Sequence, residues 1–351
     1  MPPLPFGHLP TGETVAAHRL VNATGGSVKI LTYGGIVTSW IVPDAHGAPV
    51  DIVLGFDCLD GYLAPHPYFG AIAGRVAGRI TAGRFSLDGI TYHLAFNNHP
   101  NHLHGGLRGF DKHLWNATAF PRPQDGAPSL RLSRLSPDGE EGYPGNVTVS
   151  VTYTLTDDHT LLIESEASTD RATPFSLTHH SYFNLAGEGS GSVADHTLQI
   201  LADAYAPTDA DLTLLGRRKP VTAANDFRAP RRLGDVMPGL HQRHGDLYFL
   251  PPPATDKPRL SAVLADPRSG RSLLVQTTEG CLQLYVASSL NGALIGKSGR
   301  PYGRHAGVCL ECEGYPDGPN TPALGDIILR PGHTARQTTA YSFKTYTPKS
   351  P

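Results

Sequence analysis

Between Val147 and Thr156 the chain reads V-T-V-S-V-T-Y-T-L-T, apolar at every odd position and hydroxylic or polar at every even one. Successive side chains on a β-strand point to opposite faces, so this run buries one face and leaves the other polar, the pattern of an antiparallel strand lying on a core. Wound as a helix, the same residues would scatter their apolar groups around the whole circumference. Residues 160–168 repeat the signal at once, and Thr156-Asp157-Asp158-His159 between them suits a hairpin turn. Similar runs occupy 28–32, 36–42, 272–277, 281–287 and 337–343, and no long segment has an i, i+3, i+4, i+7 apolar stripe.

The expected fold is therefore all-β, a large antiparallel β-sandwich with few or no long helices. Its 39 glycines and 31 prolines are scattered without a period, which fits many turns between short strands. The Pro/Gly-rich patches at 121–128, 251–258 and 316–322 are short and flanked by strands. They read as loops within a single domain covering 1–351.

Charge and hydropathy narrow the partner. Lys plus Arg number 29 against 31 Asp plus Glu, a net charge of −2, so the chain offers no broad basic face for nucleic acid. Met1-Pro2-Pro3-Leu4-Pro5 lacks the basic start and apolar run of a secretory signal, and no segment is long enough to span a bilayer, which predicts a cytoplasmic protein without membrane contact. Four cysteines (Cys58, Cys281, Cys309, Cys312) are too few for a disulfide framework in a chain this long. Cys309 and Cys312 form a single C-x-x-C in a strand-like context, which argues against a zinc knuckle. A small, neutral ligand is the expected partner; monomer and dimer both stay open.

Three stretches carry the chemistry: N-H-L-H-G-G at 101–106, T-H-H-S-Y-F-N-L at 178–185 and L-E-C-E-G-Y-P-D-G-P-N at 310–320. On a strand His102 and His104 would share a face, and such a pair can be half of a metal site. No carboxylate follows before Asp111, however, so a metal is not expected, and a structural histidine bonded to backbone is the plainer alternative, above all for His102. His179 and His180 must face opposite sides, so one enters a cleft with Tyr182 while the other packs with Phe183 and Leu185. Glu311 and Glu313 share a face, where mutual repulsion would raise one pKa. Arg75 and Arg79 in G-R-V-A-G-R-I (74–80) are candidates either for ligand contacts or for surface ion pairs. Together these residues define a small-molecule site with proton-transfer groups.

The same stretches, in the same order, resemble the aldose 1-epimerase (galactose mutarotase) family. The likeness includes L-G-F-D at 54–57 with Gly61-Tyr62, G-R-V-A-G-R-I at 74–80 and N-H-L-H-G-G at 101–106. It continues through G-F-D-K at 109–112 with Trp115, S-P-D-G-E-E-G-Y-P-G at 136–145 and H-S-Y-F-N-L-A-G at 180–187. D-F-R at 226–228, G-D-L-Y-F at 245–249, Gln283-Leu284-Tyr285 and L-E-x-x-x-Y-P-D-x-P-N at 310–320 complete it.

The resemblance implies a galactose mutarotase-like supersandwich that interconverts the α and β anomers of a free aldose without cofactor or metal. It implies Glu311 as general base, His180 as general acid and His104 as the second histidine near the ring oxygen. Arg79, Asp246 and Gln283 then match positions that bind sugar hydroxyls, with Gly78 and Tyr182 also at the substrate. Three positions depart from the family pattern: Gly78 stands where an Asn is usual, His179 where an Asn precedes the acid, and Glu313 where a Gln is usual. A hexose-6-phosphate 1-epimerase, with Arg108, Lys112 and Arg304 as phosphate ligands, is the alternative within the enzyme class. A non-catalytic sugar-binding protein and a metal enzyme built on His102 and His104 are the alternatives outside it.

Overall fold

A computed structural model of the protein describes residues 2–44, 47–241, 245–252 and 254–346. Its backbone is dominated by three large antiparallel sheets, of nine, five and five strands. The nine-stranded sheet holds Val147–Leu155, flanked by Pro128–Ser136 and Thr160–Thr169, and beyond them Ala335–Thr345, Arg271–Thr277 and Arg259–Asp266. Among the described residues only Leu59–Leu63 and Leu233–His241 are α-helical, and no helix is long and apolar enough to cross a membrane.

The alternation predicted for 147–156 is present. Val147, Val149, Val151, Tyr153 and Leu155 are all buried in the largest hydrophobic cluster. Ser150 and Thr154 on the opposite face are buried too, and cross-strand partners satisfy their hydroxyls: Thr154 Oγ1 lies 2.8 Å from Ser129 Oγ and the Arg131 guanidinium donates to Ser150 Oγ. The turn at 156–159 closes as expected, with the Thr156 N–H donating to Thr160 O and the His159 N–H to Thr156 O. Strands also form at 27–31, 37–43, 271–277, 281–285 and 335–345, close to the predicted runs. The patches at 121–128, 251–258 and 316–322 lie largely between strands, with Pro253 outside the described residues.

One of the five-stranded sheets positions the candidate site. Its order is Lys219–Pro220, Ala204–Ala206, Asp246–Phe249, Cys281–Tyr285, Cys309–Glu313. Leu282, Leu284, Leu310 and Cys312 point into the main core, against residues such as Tyr341, whose hydroxyl donates to Leu310 O. The alternate residues, Gln283, Glu311 and Glu313, are thereby turned to the other face. Register places Gln283 directly opposite Glu311.

Candidate active site

Glu311, His180 and His104 line one cavity of about 220 Å³ together with Arg79, Asp246, Gln283, Gly78 and Tyr182. All eight residues expected at the site therefore meet, although they come from segments spread between residues 78 and 311. Glu313 lines the cavity as well.

His180 and Glu311 form its centre. Their Nε2 and Oε2 atoms are 3.4 Å apart, and both side chains are buried. Thr178–His179 pairs with Ile72–Ala73, and the His180 N–H donates to Ala71 O, which fixes the backbone on which the imidazole sits. Tyr182 stacks on the His180 ring at 5.2 Å, and Cys309 Sγ lies 3.6 Å from its Nδ1. As expected, His179 is on the other side of the strand. Its Nε2 lies 2.7 Å from Ser181 Oγ and its ring contacts Tyr153 and Tyr341 in the core, where Phe183 also packs on Tyr341.

His104 is held differently. The short strand His102–Leu103 ends there, and His104 itself has φ +51°, in the left-handed region. Its N–H donates to Gly78 O at 3.0 Å, and the Gly78 N–H donates to its Nδ1 at 3.1 Å. Because Nδ1 accepts, the neutral ring carries its proton on Nε2. The expectation that His102 and His104 share a face is thus corrected: the left-handed residue breaks the alternation. His102 is buried away from the cavity, with Nδ1 bonded to Ala95 O and Nε2 to the Tyr143 hydroxyl. With both ring nitrogens occupied, a metal site built on this pair has lost one of its ligands.

The two arginines also separate. Arg79 lines the cavity and its Nε donates to Asn98 Oδ1 at 2.8 Å. Arg75 is buried elsewhere, donating to the carbonyls of Ser136, Pro137, Pro144 and Gly145, so it ties down the 136–145 loop. Of the cations considered for a phosphate, Lys112 is paired with Asp111 at 2.7 Å, and none of Arg108, Lys112 and Arg304 lines the cavity.

Burial governs the electrostatics. It pushes the Glu311 carboxyl up to about 8, against the opposing pull of the Arg79 guanidinium. It lowers His180 to about 4 and His104 well below its ordinary value, where the neighbouring His180 and Arg79 add to the effect. Glu313 is raised well above the carboxylate range by burial first and then by Glu311 and Glu279. The repulsion expected between the two glutamates is present, but desolvation is the larger cause. In the unliganded cavity at neutral pH, the His180–Glu311 pair therefore holds a single transferable proton. Donor atoms of His104, His180 and Glu311 all lie within 4.8 Å of one another, a spacing suited to proton transfer on one small substrate and close enough to share a cation.

Three neighbours were not anticipated. Tyr68 packs its ring edge on His104 at 4.7 Å and stacks on His180 at 5.7 Å. Asn98 orients Arg79, and Cys309 backs His180. The only local hints are the H-P-Y-F-G run at 66–70 and the asparagines just before N-H-L-H-G-G; Cys309 was visible only as part of a C-x-x-C.

A model of the aldose 1-epimerase family matches residues 17–342, and the chain belongs to that family, a class of isomerases. Galactose mutarotase of Rattus norvegicus is 44% identical over 339 residues, spanning 96% of this chain and 97% of that protein. The galactose mutarotase of Homo sapiens is 43% identical over the same length, and the aldose 1-epimerase of Escherichia coli (strain K12) is 33% identical over 341 residues, 95% of this chain and 96% of that one. Among solved structures, the GalM/aldose epimerase homologue from C. elegans aligns with a TM-score of 0.86 at 28% identity, covering 95% of this chain and 100% of that one. Galactose 1-epimerase from Lactobacillus acidophilus aligns at 0.85 with 25% identity and 99% of each chain.

Proposed function

We propose that the protein is a mutarotase for a free monosaccharide, with Glu311 as base, His180 as acid and His104 as a donor to the ring oxygen. The observation that carries this is the 3.4 Å approach of His180 Nε2 to Glu311 Oε2 in a cavity that also receives His104 and Arg79. In the reactive form the shared proton sits on His180. The Glu311 carboxylate removes the proton of the anomeric hydroxyl, O1 forms a carbonyl with C1, and the C1–O5 bond breaks. Its electron pair goes to O5, which takes the proton from His180. Rotation about C1–C2 presents the other carbonyl face, and the same transfers in reverse close the ring as the opposite anomer. Each positioned proton transfer is worth ~10²–10⁴-fold, and fixing the sugar between the two groups contributes further.

The cavity volume favours one sugar ring over an oligosaccharide. Cys281, Cys309 and Cys312 are buried free thiols, which fits the expectation of a reducing, cytoplasmic setting. The test is polarimetry on freshly dissolved α-D-glucose, α-D-galactose and L-arabinose at neutral pH. Acceleration over buffer is expected for at least one; a buffer rate with all three refutes the proposal.

A further inference from the structure

Two of the three departures from the family pattern meet in space. A Cβ added to Gly78 would stand 2.3 Å from Pro316 Cγ and 2.9 Å from Glu313 Oε1, at a backbone φ of +72° that itself disfavours a side chain. The Gly78 backbone cannot easily retreat, because it is bonded in both directions to His104. Glu313 therefore occupies room that a side chain at 78 would take. Glu313 is 1% exposed and lines the cavity, and its Oε2 has no hydrogen-bond partner. A buried, unpaired carboxyl is a liability to the fold unless a ligand completes it.

Glu313 lies two residues along the strand from Glu311 on the same face, a separation of about 7 Å. Both carboxyls line the same cavity, so a sugar whose anomeric hydroxyl meets Glu311 can present another of its hydroxyls to Glu313. We propose, resting on the mutarotase reading, that Glu313 determines specificity by hydrogen-bonding a pyranose hydroxyl remote from C1, at C3 or C4, in the room left by Gly78. The predicted substrates are aldopyranoses with that hydroxyl free. Those deoxygenated or glycosylated there are disfavoured. Burial raises the Glu313 carboxyl well above the carboxylate range and so favours its protonated form, which can donate its O–H as well as accept.

The test compares wild type, Glu313→Leu and Glu313→Gln on D-glucose and its 2-, 3-, 4- and 6-deoxy analogues, with anomer exchange followed by NMR saturation transfer. Wild type is expected to lose about tenfold in kcat/KM on deletion of the 3- or the 4-hydroxyl. Glu313→Leu should lose a similar factor on D-glucose but nothing more on that one analogue, while Glu313→Gln keeps most of the activity. Removal of an unpaired carboxyl should leave the unliganded Tm of Glu313→Leu unchanged or raised. An equal loss on every analogue, no loss, or a Tm lowered by several degrees overturns the proposal. Ligand-detected NMR binding on the same samples separates the two readings. A wild type that binds D-glucose without turnover, and loses binding in Glu313→Leu, overturns mutarotase activity but supports the Glu313 contact; one that does neither overturns both.

Discussion

Replacing Glu311 by glutamine should sharply slow turnover and stabilise the protein at once. Burial raises this carboxyl from its ordinary value of 4.5 to about 8, so at pH 7 the folded protein retains a proton that the unfolded chain releases. The gap between 4.5 and pH 7 corresponds to about 3 kcal/mol of destabilisation by the native glutamate, growing to about 5 kcal/mol above pH 8 and vanishing below pH 4.5. Sign and window follow from the raised pKa: stability present at low pH is lost as pH rises through the carboxyl's folded-state value. Glutamine does not titrate. With an unfolding entropy of about 2.1 cal/mol/K per residue, 3 kcal/mol corresponds to a Tm about 4–5 °C higher for Glu311→Gln at pH 7 in a chain of this length. Calorimetry of both proteins between pH 4 and 8.5, alongside polarimetry, checks this. The expected result is a Tm difference that opens steadily with pH, with anomer exchange reduced ~10²–10⁴-fold. A difference independent of pH, or a less stable variant, would refute the account of Glu311 as a buried carboxyl held against its solvation.

The pH profile of kcat/KM should be bell-shaped, because the working pair must hold one proton. Activity is lost below about 4, where His180 gains a second proton, and above about 8, where Glu311 loses the only one; activity that climbs monotonically through pH 9 contradicts this. Arg75→Met and Arg79→Met should differ in kind. The first removes a buried guanidinium from four loop carbonyls and should cost about 3–5 kcal/mol of stability in denaturant titration, and the second should chiefly raise KM. Dialysis against EDTA is expected to leave the rate unchanged; a loss restored by Zn²⁺ would assign His104, His180 and Glu311 to a metal.

The sheets were legible because one buried face writes a period of two into the sequence, as at 147–155. The strand Pro128–Ser136 was not recognised, because its alternation fails: Leu135 is 58% exposed while Arg134 is 9% exposed, its guanidinium lying over the Phe110 ring and paired with Glu140. The separation of His179 from His180 followed from alternation alone. That of His102 from His104 did not, since it depends on one left-handed residue whose only hint was the Gly105-Gly106 that follows. Spacing alone did not separate Arg75, which ties down a loop, from Arg79, which lines the cavity, because their partners lie far away in sequence; only the resemblance pointed to Arg79. What the family resemblance supplied was the identity of residues meeting from six segments, which no local pattern encodes.

A base and an acid buried side by side look ill suited to chemistry at neutral pH, since burial opposes the charged form of each. The effects on the pair are complementary, however. Raising Glu311 and lowering His180 leaves one proton between them over the interval from about 4 to about 8, and the reactive state differs from the resting state only in where it sits. Moving it from Glu311 to His180 creates opposite charges 3.4 Å apart rather than a lone ion, so their mutual attraction offsets part of the desolvation cost. Arg79 pulls in the same direction by favouring the carboxylate. His66 pulls the other way, since its charge would disfavour the imidazolium, but burial lowers His66 itself to about 4 and keeps it neutral at physiological pH. The low dielectric that makes the ion pair costly also strengthens each proton's hold on a sugar oxygen once substrate has displaced water, so drying the cavity serves the reaction even as it weakens the fold.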